Sequence, residues 1–273
     1  VDLQHCLEAQ FQQGTAQVYC LSIDICLAKQ RSDVTDPSTR SFWVEQMAKG
    51  QILGIGGGPS CETWSAARHM ADGPPPVRSY DEPWGVAGLR KAVAQQVDVG
   101  STLVQFLLDL LVIAARLGLC GFLEHPAFPV WLARKKPASI WTLRAFRCFA
   151  RLQCVQVVTF DQCTMGLLAQ KPTTFVVLRL PALVDMIQMR GRRGRCNHIG
   201  GHQPLKGRQD NSQFSTARAK IYPRQLNLSI ALAVCRFLSD RHMNEAGQMS
   251  TQLEELDSTE VVDMHTVQPD YHG

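Results

Sequence analysis

Short apolar runs alternate with polar and glycine-rich breaks along the chain, and their lengths and periods separate strands from helices. Val18-Tyr19-Cys20-Leu21-Ser22-Ile23-Asp24 is an apolar run that closes on a carboxylate, and Ile52-Leu53-Gly54-Ile55 is one that closes on glycines. Between them, Ser38 to Gly50 carries Phe42, Val44 and Met47 and ends in glycine, the signature of a helix. Leu103 to Leu119 has apolar residues at helical spacing, interrupted by Gln105, Asp109 and Arg116, and predicts a largely buried amphipathic helix. Cys120 to Pro126 reads as a strand ending in polar groups, Trp141 to Leu152 as a helix, and Val155 to Phe160 and Thr174 to Leu178 as strands. Strands alternating with helices predict an α/β fold built on a doubly wound, mainly parallel sheet. Ligands of such sheets sit outside the carboxyl ends of the strands, so Cys61 and Glu124 are expected on one rim.

A chain of 273 residues is close to the upper size of one α/β domain. The expected division is a domain over residues 1–240, with a short recognition insert at about 180–215, and a solvated, disordered tail over 241–273. Charge supports that division. The tail holds seven acidic residues against one arginine, so the net +4 splits into −6 there and +10 over residues 1–240. A basic body suits a polyanionic partner. Ten cysteines scattered singly, without a signal-peptide pattern, point to free thiols in a reducing, intracellular compartment. No run of eighteen apolar residues occurs, so neither a membrane span nor a membrane partner is expected. The chain begins at Val1 with no initiator methionine and reads as a fragment or as one segment of a longer polypeptide.

Gly56-Gly57-Gly58-Pro59-Ser60-Cys61-Glu62-Thr63-Trp64-Ser65 presents a single thiol on a glycine-proline turn directly after a strand. That is how an α/β sheet displays a nucleophile. Backbone amides of this loop, with Arg68 downstream, are expected to favour the thiolate. A proline-rich stretch from Gly73 to Trp84, containing Arg78, reads as an ordered loop over the site. Met189-Arg190-Gly191-Arg192-Arg193-Gly194-Arg195 reads as a mobile phosphate-binding segment. Asp161-Gln162 follows a strand, where it either orients Glu124 or serves the fold. Cys196-x-His198-x3-His202, with Cys163 upstream, is three clustered ligands without a second paired motif; no metal is expected, and both histidines are expected to organise the recognition loop or contact phosphate. Cys120, Cys148, Cys154 and Cys235 lie in apolar periodic segments and are expected in the core.

The Cys61 loop resembles the G-P-P-C-x-x-x-S loop of the cytosine-5 DNA methyltransferases, and Leu123-Glu124-His125-Pro126 resembles that family's E-N-V motif. The resemblance covers roughly residues 18–236. It implies a Rossmann-like methyltransferase fold in which Cys61 attacks carbon 6 of cytosine and Glu124 contacts N3 and the exocyclic amine. Ser65, Gln170 and Lys171 would complete the catalytic set, Gln170 closing Met165-Gly166-Leu167-Leu168-Ala169-Gln170, which is similar to the Y-G-x-x-Q motif. S-adenosyl-L-methionine is the implied cofactor. Asp24 would meet its ribose hydroxyls and Asp33 its adenine amine, with Val34 and Pro59 beside it. Arg68, Arg78, Arg190, Arg192, Arg193 and Arg195 would bind DNA, or RNA in a subordinate role, and a eukaryotic member would be nuclear. Thr216 to Val234 occupies the place of the last helical motifs.

Several positions depart from the family pattern. No glycine-rich cofactor turn is evident in residues 1–17, so either the amino end is truncated or the cofactor turn is damaged. Ser60 stands where proline is usual, and Pro172 and Thr174 stand where the family has two arginines. Lys171 lacks the planar fork of arginine. These departures resemble divergent methyltransferase-like domains inside mobile-element polyproteins of eukaryotes, dinoflagellates included. Three functions therefore stand as expectations: the methyltransferase, a catalytically lapsed nucleic-acid-binding module, and, lowest, a cysteine hydrolase using His69 or His125.

Overall fold

The structure is a computed structural model that describes residues 3–11, 20, 21, 23, 32–71, 73–205 and 221–241. Val1–Cys235 and Arg236–Gly273 are separate compact units. In the second, the described residues 236–241 are helical, and the rest of the acidic tail lies outside the described residues. So do Asp24 and most of the expected strand at Val18–Asp24.

The first unit is a mixed α/β structure. Helix α1 spans Leu3–Phe11, and α2 spans Pro37–Ala48. Asp36 starts α2 by accepting from the Ser38 amide at 2.9 Å, with Pro37 pre-set in the first turn, and Gly50 follows its end at φ +70°. Strand β1, Gly54–Gly57, leads through the Cys61 loop and the proline-rich segment into α3, Lys91–Arg116, and from there into β2, Cys120–Pro126. A short helix α4, Arg144–Phe149, precedes β3, Val155–Asp161, and β4, Pro172–Leu178; α5, Pro181–Gln188, follows, and residues 224–235 form α6.

The four strands lie in the order β1-β2-β4-β3. β1 and β2 are parallel, with α3 as the crossover, whereas β4 runs antiparallel to both β2 and β3. The sheet is thus mixed, where a mainly parallel one was expected. The cause is the connection over residues 162–171, too short for a crossover helix, so the chain reverses at the end of β3.

Glycine decides how closely β1 meets β2. A Cβ on Gly56 would lie 2.2 Å from the Phe122 ring, and one on Gly54 2.7 Å from the Cys120 sulfur. This is why the strand occupies Gly54–Gly57 rather than Ile52–Ile55.

β2 is buried along almost its whole length, as a strand covered on both faces must be. Leu123 points with Val176 and Leu178 into a core formed with Val104, Leu108, Leu111 and Ala114 of α3. α3 is long and apolar enough to cross a membrane by length and composition, but it packs on β1 and β2 as a core helix. On the opposite face Phe122 stacks on Phe175 at 5.5 Å, and Phe175 meets Phe160 and Tyr222. Alternation along the strand puts Glu124 on the same face as Phe122.

α3 starts well before Leu103 because its first turns carry a polar exposed face. Trp141 to Leu152 divides into a 3-10 turn, Ile140–Thr142, and α4. Cys120 is buried as expected, Cys154 and Cys235 are half-buried, and Cys148 is exposed on the polar side of α4.

Candidate active site

Because β1 and β2 are parallel, their carboxyl ends share one edge of the sheet. Cys61 follows β1 there, and Glu124 sits near the end of β2, opposite Phe175 of β4. The loop between β1 and Cys61 passes directly over the carboxylate. A Cβ on Gly58 would come within 2.7 Å of Glu124 Oε2 and 2.8 Å of the Tyr222 hydroxyl.

Glu124 is buried and fully engaged. Gln162 Nε2 donates to its Oε1 at 3.2 Å and to Thr173 Oγ1 at 3.0 Å, while Lys171 Nζ pairs with Oε1 at 3.3 Å. The Tyr222 hydroxyl donates to the same carboxylate. Burial, then the charge of Glu124, pushes the Tyr222 phenol well above its usual range, so it stays a donor.

Burial also pushes the Cys61 thiol up from its usual value, against the opposing charge of Lys171; Glu124 adds to the rise. The thiol therefore rests protonated at neutral pH, the reverse of the expected thiolate. Arg68 does not supply the missing positive charge. Its guanidinium donates to Glu62 O at 2.8 Å and Pro75 O at 3.0 Å, tying the Cys61 loop to the proline-rich segment.

Arg78 requires a second correction. It was expected to bind nucleic acid, yet it is 1% exposed. Its guanidinium donates to Thr63 Oγ1, Pro83 O, Ser101 Oγ and Val97 O at 2.7–3.1 Å and lies 4.0 Å over the Trp64 ring. Burial lowers its pKa to about 10. Arg78 is the internal brace that makes the segment from Gly73 to Trp84 an ordered loop, with Tyr80 N on Lys136 O and Trp64 edge-on to Trp84. Gly100 leaves room for the brace, since a Cβ there would meet Thr63 Oγ1 at 2.9 Å.

The other expected residues divide. Ser65 caps the 3-10 turn Ala66–His69 by accepting from the Ala67 amide. Gln170 is exposed beside Lys171, and Pro59 is half-buried after β1. Asp33 accepts from the Thr35 amide and hydroxyl through Oδ1, and the Val34 and Thr35 carbonyls accept from Arg40, forming the turn before α2. Thr174 bonds Thr159 inside the sheet at 2.8 Å, so that position offers no substitute for an arginine.

Arg190, Arg192, Arg193 and Arg195 are all exposed. Their segment is a folded turn, closed by Arg192 N on Arg195 O at 2.9 Å and Arg195 N on Arg192 O at 3.1 Å. Gly191 and Gly194 take positive φ in it, and so does Arg193 at φ +53°. Asp161 anchors the turn, accepting from Cys196 N at 2.9 Å and facing Arg195 Nε at 3.7 Å.

His125 is buried between Trp64 and Trp141, its Nε2 without a hydrogen bond. Burial first, then the charges of Lys171 and Arg78, lowers its pKa to about 3. A neutral imidazole there fills space and cannot serve Cys61 as an ordinary base.

Motif reasoning missed Tyr222. Its only signal is an isolated Tyr-Pro pair at the start of α6, far from the cysteine loop in sequence. Gln162, left between two roles, orients Glu124. Comparison with protein-family models, curated proteins and solved structures finds no match for this chain.

Proposed function

We propose that the protein is a divergent cytosine-5 nucleic-acid methyltransferase that uses Cys61 for covalent attack and Glu124 to bind the pyrimidine edge, with DNA as the favoured substrate. The observation that carries this function is the meeting of Cys61, Glu124 and Lys171 at one sheet edge, with Gln162 and Tyr222 holding the carboxylate. Cytosine carbon 5 is a poor nucleophile until a thiolate adds at carbon 6 and negative charge is managed at N3, so thiol and carboxylate must act on one ring. Lys171 stabilises both the Cys61 thiolate and the Glu124 carboxylate.

The resting thiol must lose its proton before attack, and the Lys171 charge is what favours the thiolate at this edge. A base in duplex DNA must leave the stack to reach the half-buried Cys61 and the buried Glu124. S-adenosyl-L-methionine would supply an electrophilic methyl group. Among the described residues the half-buried Asp33 offers a carboxylate suited to a nucleoside amine, beside Val34, and Pro59 belongs to the Cys61 loop. The exposed arginine turn is suited to phosphate contacts. β1, β2 and β3 run in one direction and β4 alone is reversed between β2 and β3, so the mixed sheet is loosely compatible with a Rossmann-like fold.

A binding-only module is favoured by the raised Cys61 pKa and by Pro172 and Thr174 at the arginine positions. Trapping separates the two. Protein and Cys61→Ala are incubated with S-adenosyl-L-methionine and DNA carrying 5-fluorocytosine, where fluorine blocks the final elimination. A denaturation-resistant adduct that needs both cofactor and Cys61 is expected. Salt-sensitive DNA binding without an adduct would refute catalysis and leave the binding module.

A further inference from the structure

Two cysteines and two histidines converge beside the β3–β4 connection. Cys163 is buried in the 3-10 turn Gln162–Met165; Cys196, His198 and His202 come from the segment that leaves the arginine turn. Cys196 Sγ lies 3.4 Å from His198 Nδ1 and 3.3 Å from His202 Nε2, and the two nitrogens are 3.2 Å apart. All four donor atoms fall within 4.8 Å of one another.

We propose that these four side chains form a closed, structural zinc site. Tetrahedral zinc with Zn–S of about 2.3 Å and Zn–N of about 2.0–2.1 Å sets its donor atoms roughly 3.3–3.8 Å apart. The observed triangle, with sides of 3.2–3.4 Å, lies at and just below the short end of that range, and the fourth donor, within 4.8 Å, has to close in on the ion. Hydrogen bonding alone accounts for it poorly, because a neutral imidazole has one N–H and each ring nitrogen faces two neighbours at once. One cation satisfies every lone pair together. A two-sulfur, two-nitrogen set selects zinc, and four protein ligands leave no position for substrate.

The scaffold holds the ligands in register from both sides. Cys196 N donates to Asp161 Oδ2 at 2.9 Å, and Gln203 N donates to Leu168 O at 3.0 Å. Sequence spacing offered three ligands in one run with Cys163 upstream; the fold brings Cys163 to them as the fourth. Zinc here would clamp the arginine turn to the loop that carries Gln162, and so stiffen the support of Glu124.

The test is the metal content of the full chain purified without chelator, followed by cobalt replacement. About one zinc per chain is expected, and cobalt should give tetrahedral visible bands with thiolate charge transfer. Cys163→Ala and His202→Ala should each lose the metal, while Cys148→Ala, at an exposed cysteine, should keep it. Wild-type protein with no bound metal and no cobalt bands, or with a Cys163–Cys196 disulfide in their place, would overturn the proposal. Metal retained by both ligand variants would overturn it equally. The wild-type spectrum decides even if a variant fails to fold.

Discussion

Replacing Arg78 by methionine removes the guanidinium and keeps most of the apolar stem. Val97 O retains Ser101 Oγ as a donor at 2.8 Å, but Thr63 Oγ1 loses both of its bonds from Arg78 and Pro83 O loses its one. Two stranded acceptors cost about 1–3 kcal/mol each. Loss of the contact with Trp64 adds about 0.5–2 kcal/mol. Against this, the cost of holding a guanidinium out of water disappears, which leaves a net destabilisation of about 3–5 kcal/mol. At roughly 2–4 °C per kcal/mol for a unit of this size, the melting point should fall by about 6–20 °C. Urea and thermal unfolding measure the loss. Salt-dependent DNA binding of the folded variant should keep the wild-type slope, because a buried arginine neutralises no phosphate. A loss of stability below about 1 kcal/mol, together with a salt slope reduced by about one, would show Arg78 to be a surface phosphate ligand and refute the brace.

Gly58→Ala must push Glu124 Oε2 or the Tyr222 hydroxyl away by roughly 0.7 Å to restore ordinary contact, and should slow adduct trapping by about 10–100-fold with little change in urea midpoint; an unchanged trapping rate would show that the carboxylate sits elsewhere. Lys171→Met removes the charge that opposes burial at Cys61, so the rise of Cys61 alkylation with pH should move to higher pH, and Glu124→Gln should move it to lower pH. His125 stays neutral when folded down to about pH 3, while the unfolded imidazole takes a proton near pH 6.5. Stability is therefore full above pH 6.5 and falls as pH drops toward 3, at about 1.4 kcal/mol per pH unit from this residue; unfolding of His125→Gln should show a flatter profile over that window.

The strands were legible because their apolar runs are short and sharply bounded: β2, β3 and β4 fall where the residue pattern places them, within a few positions. The ends of β1 and α3 were not, since both depend on residues remote in sequence. Gly54 looks like a gap inside a strand and Gly56 like its end until Cys120 and Phe122 occupy the space their side chains would need. Gly100 looks like a weak point of a helix until Thr63 and Arg78 fill its place. Charge type was equally misleading about location. Arg78 and the arginines of the 190–195 turn read alike as cations beside glycine or proline, and only the acceptors around Arg78 separate a brace from a surface. Cys61 and Glu124 could be paired from residue type and strand position, whereas Tyr222 enters from the segment just before α6, whose approach is a tertiary fact.

The direction of β4 has the largest consequence for the site. The carboxyl end of β2 defines the edge where Cys61 and Glu124 sit, and antiparallel pairing sets Pro126 of β2 opposite Thr173 at the start of β4. Lys171, one residue before β4, is thereby delivered to that same edge, 3.3 Å from Glu124. Had β4 run parallel to β2, its first residue would lie at the opposite edge, about 20 Å away for a strand of this length at about 3.3 Å per residue. The short reversal that breaks the parallel pattern is thus what supplies the cation acting on both Glu124 and Cys61. It also explains why one loop carries three separate parts. Gln162 at its start holds Glu124, Lys171 at its end holds the same carboxylate, and the Gln162 amide closes the base on Lys171 O at 3.0 Å. Cys163 lies between them and faces the histidine segment. A change that loosens this loop should therefore disturb the carboxylate from two sides at once, whereas one that loosens the Cys61 loop reaches it through Gly58 and the charge coupling to Cys61.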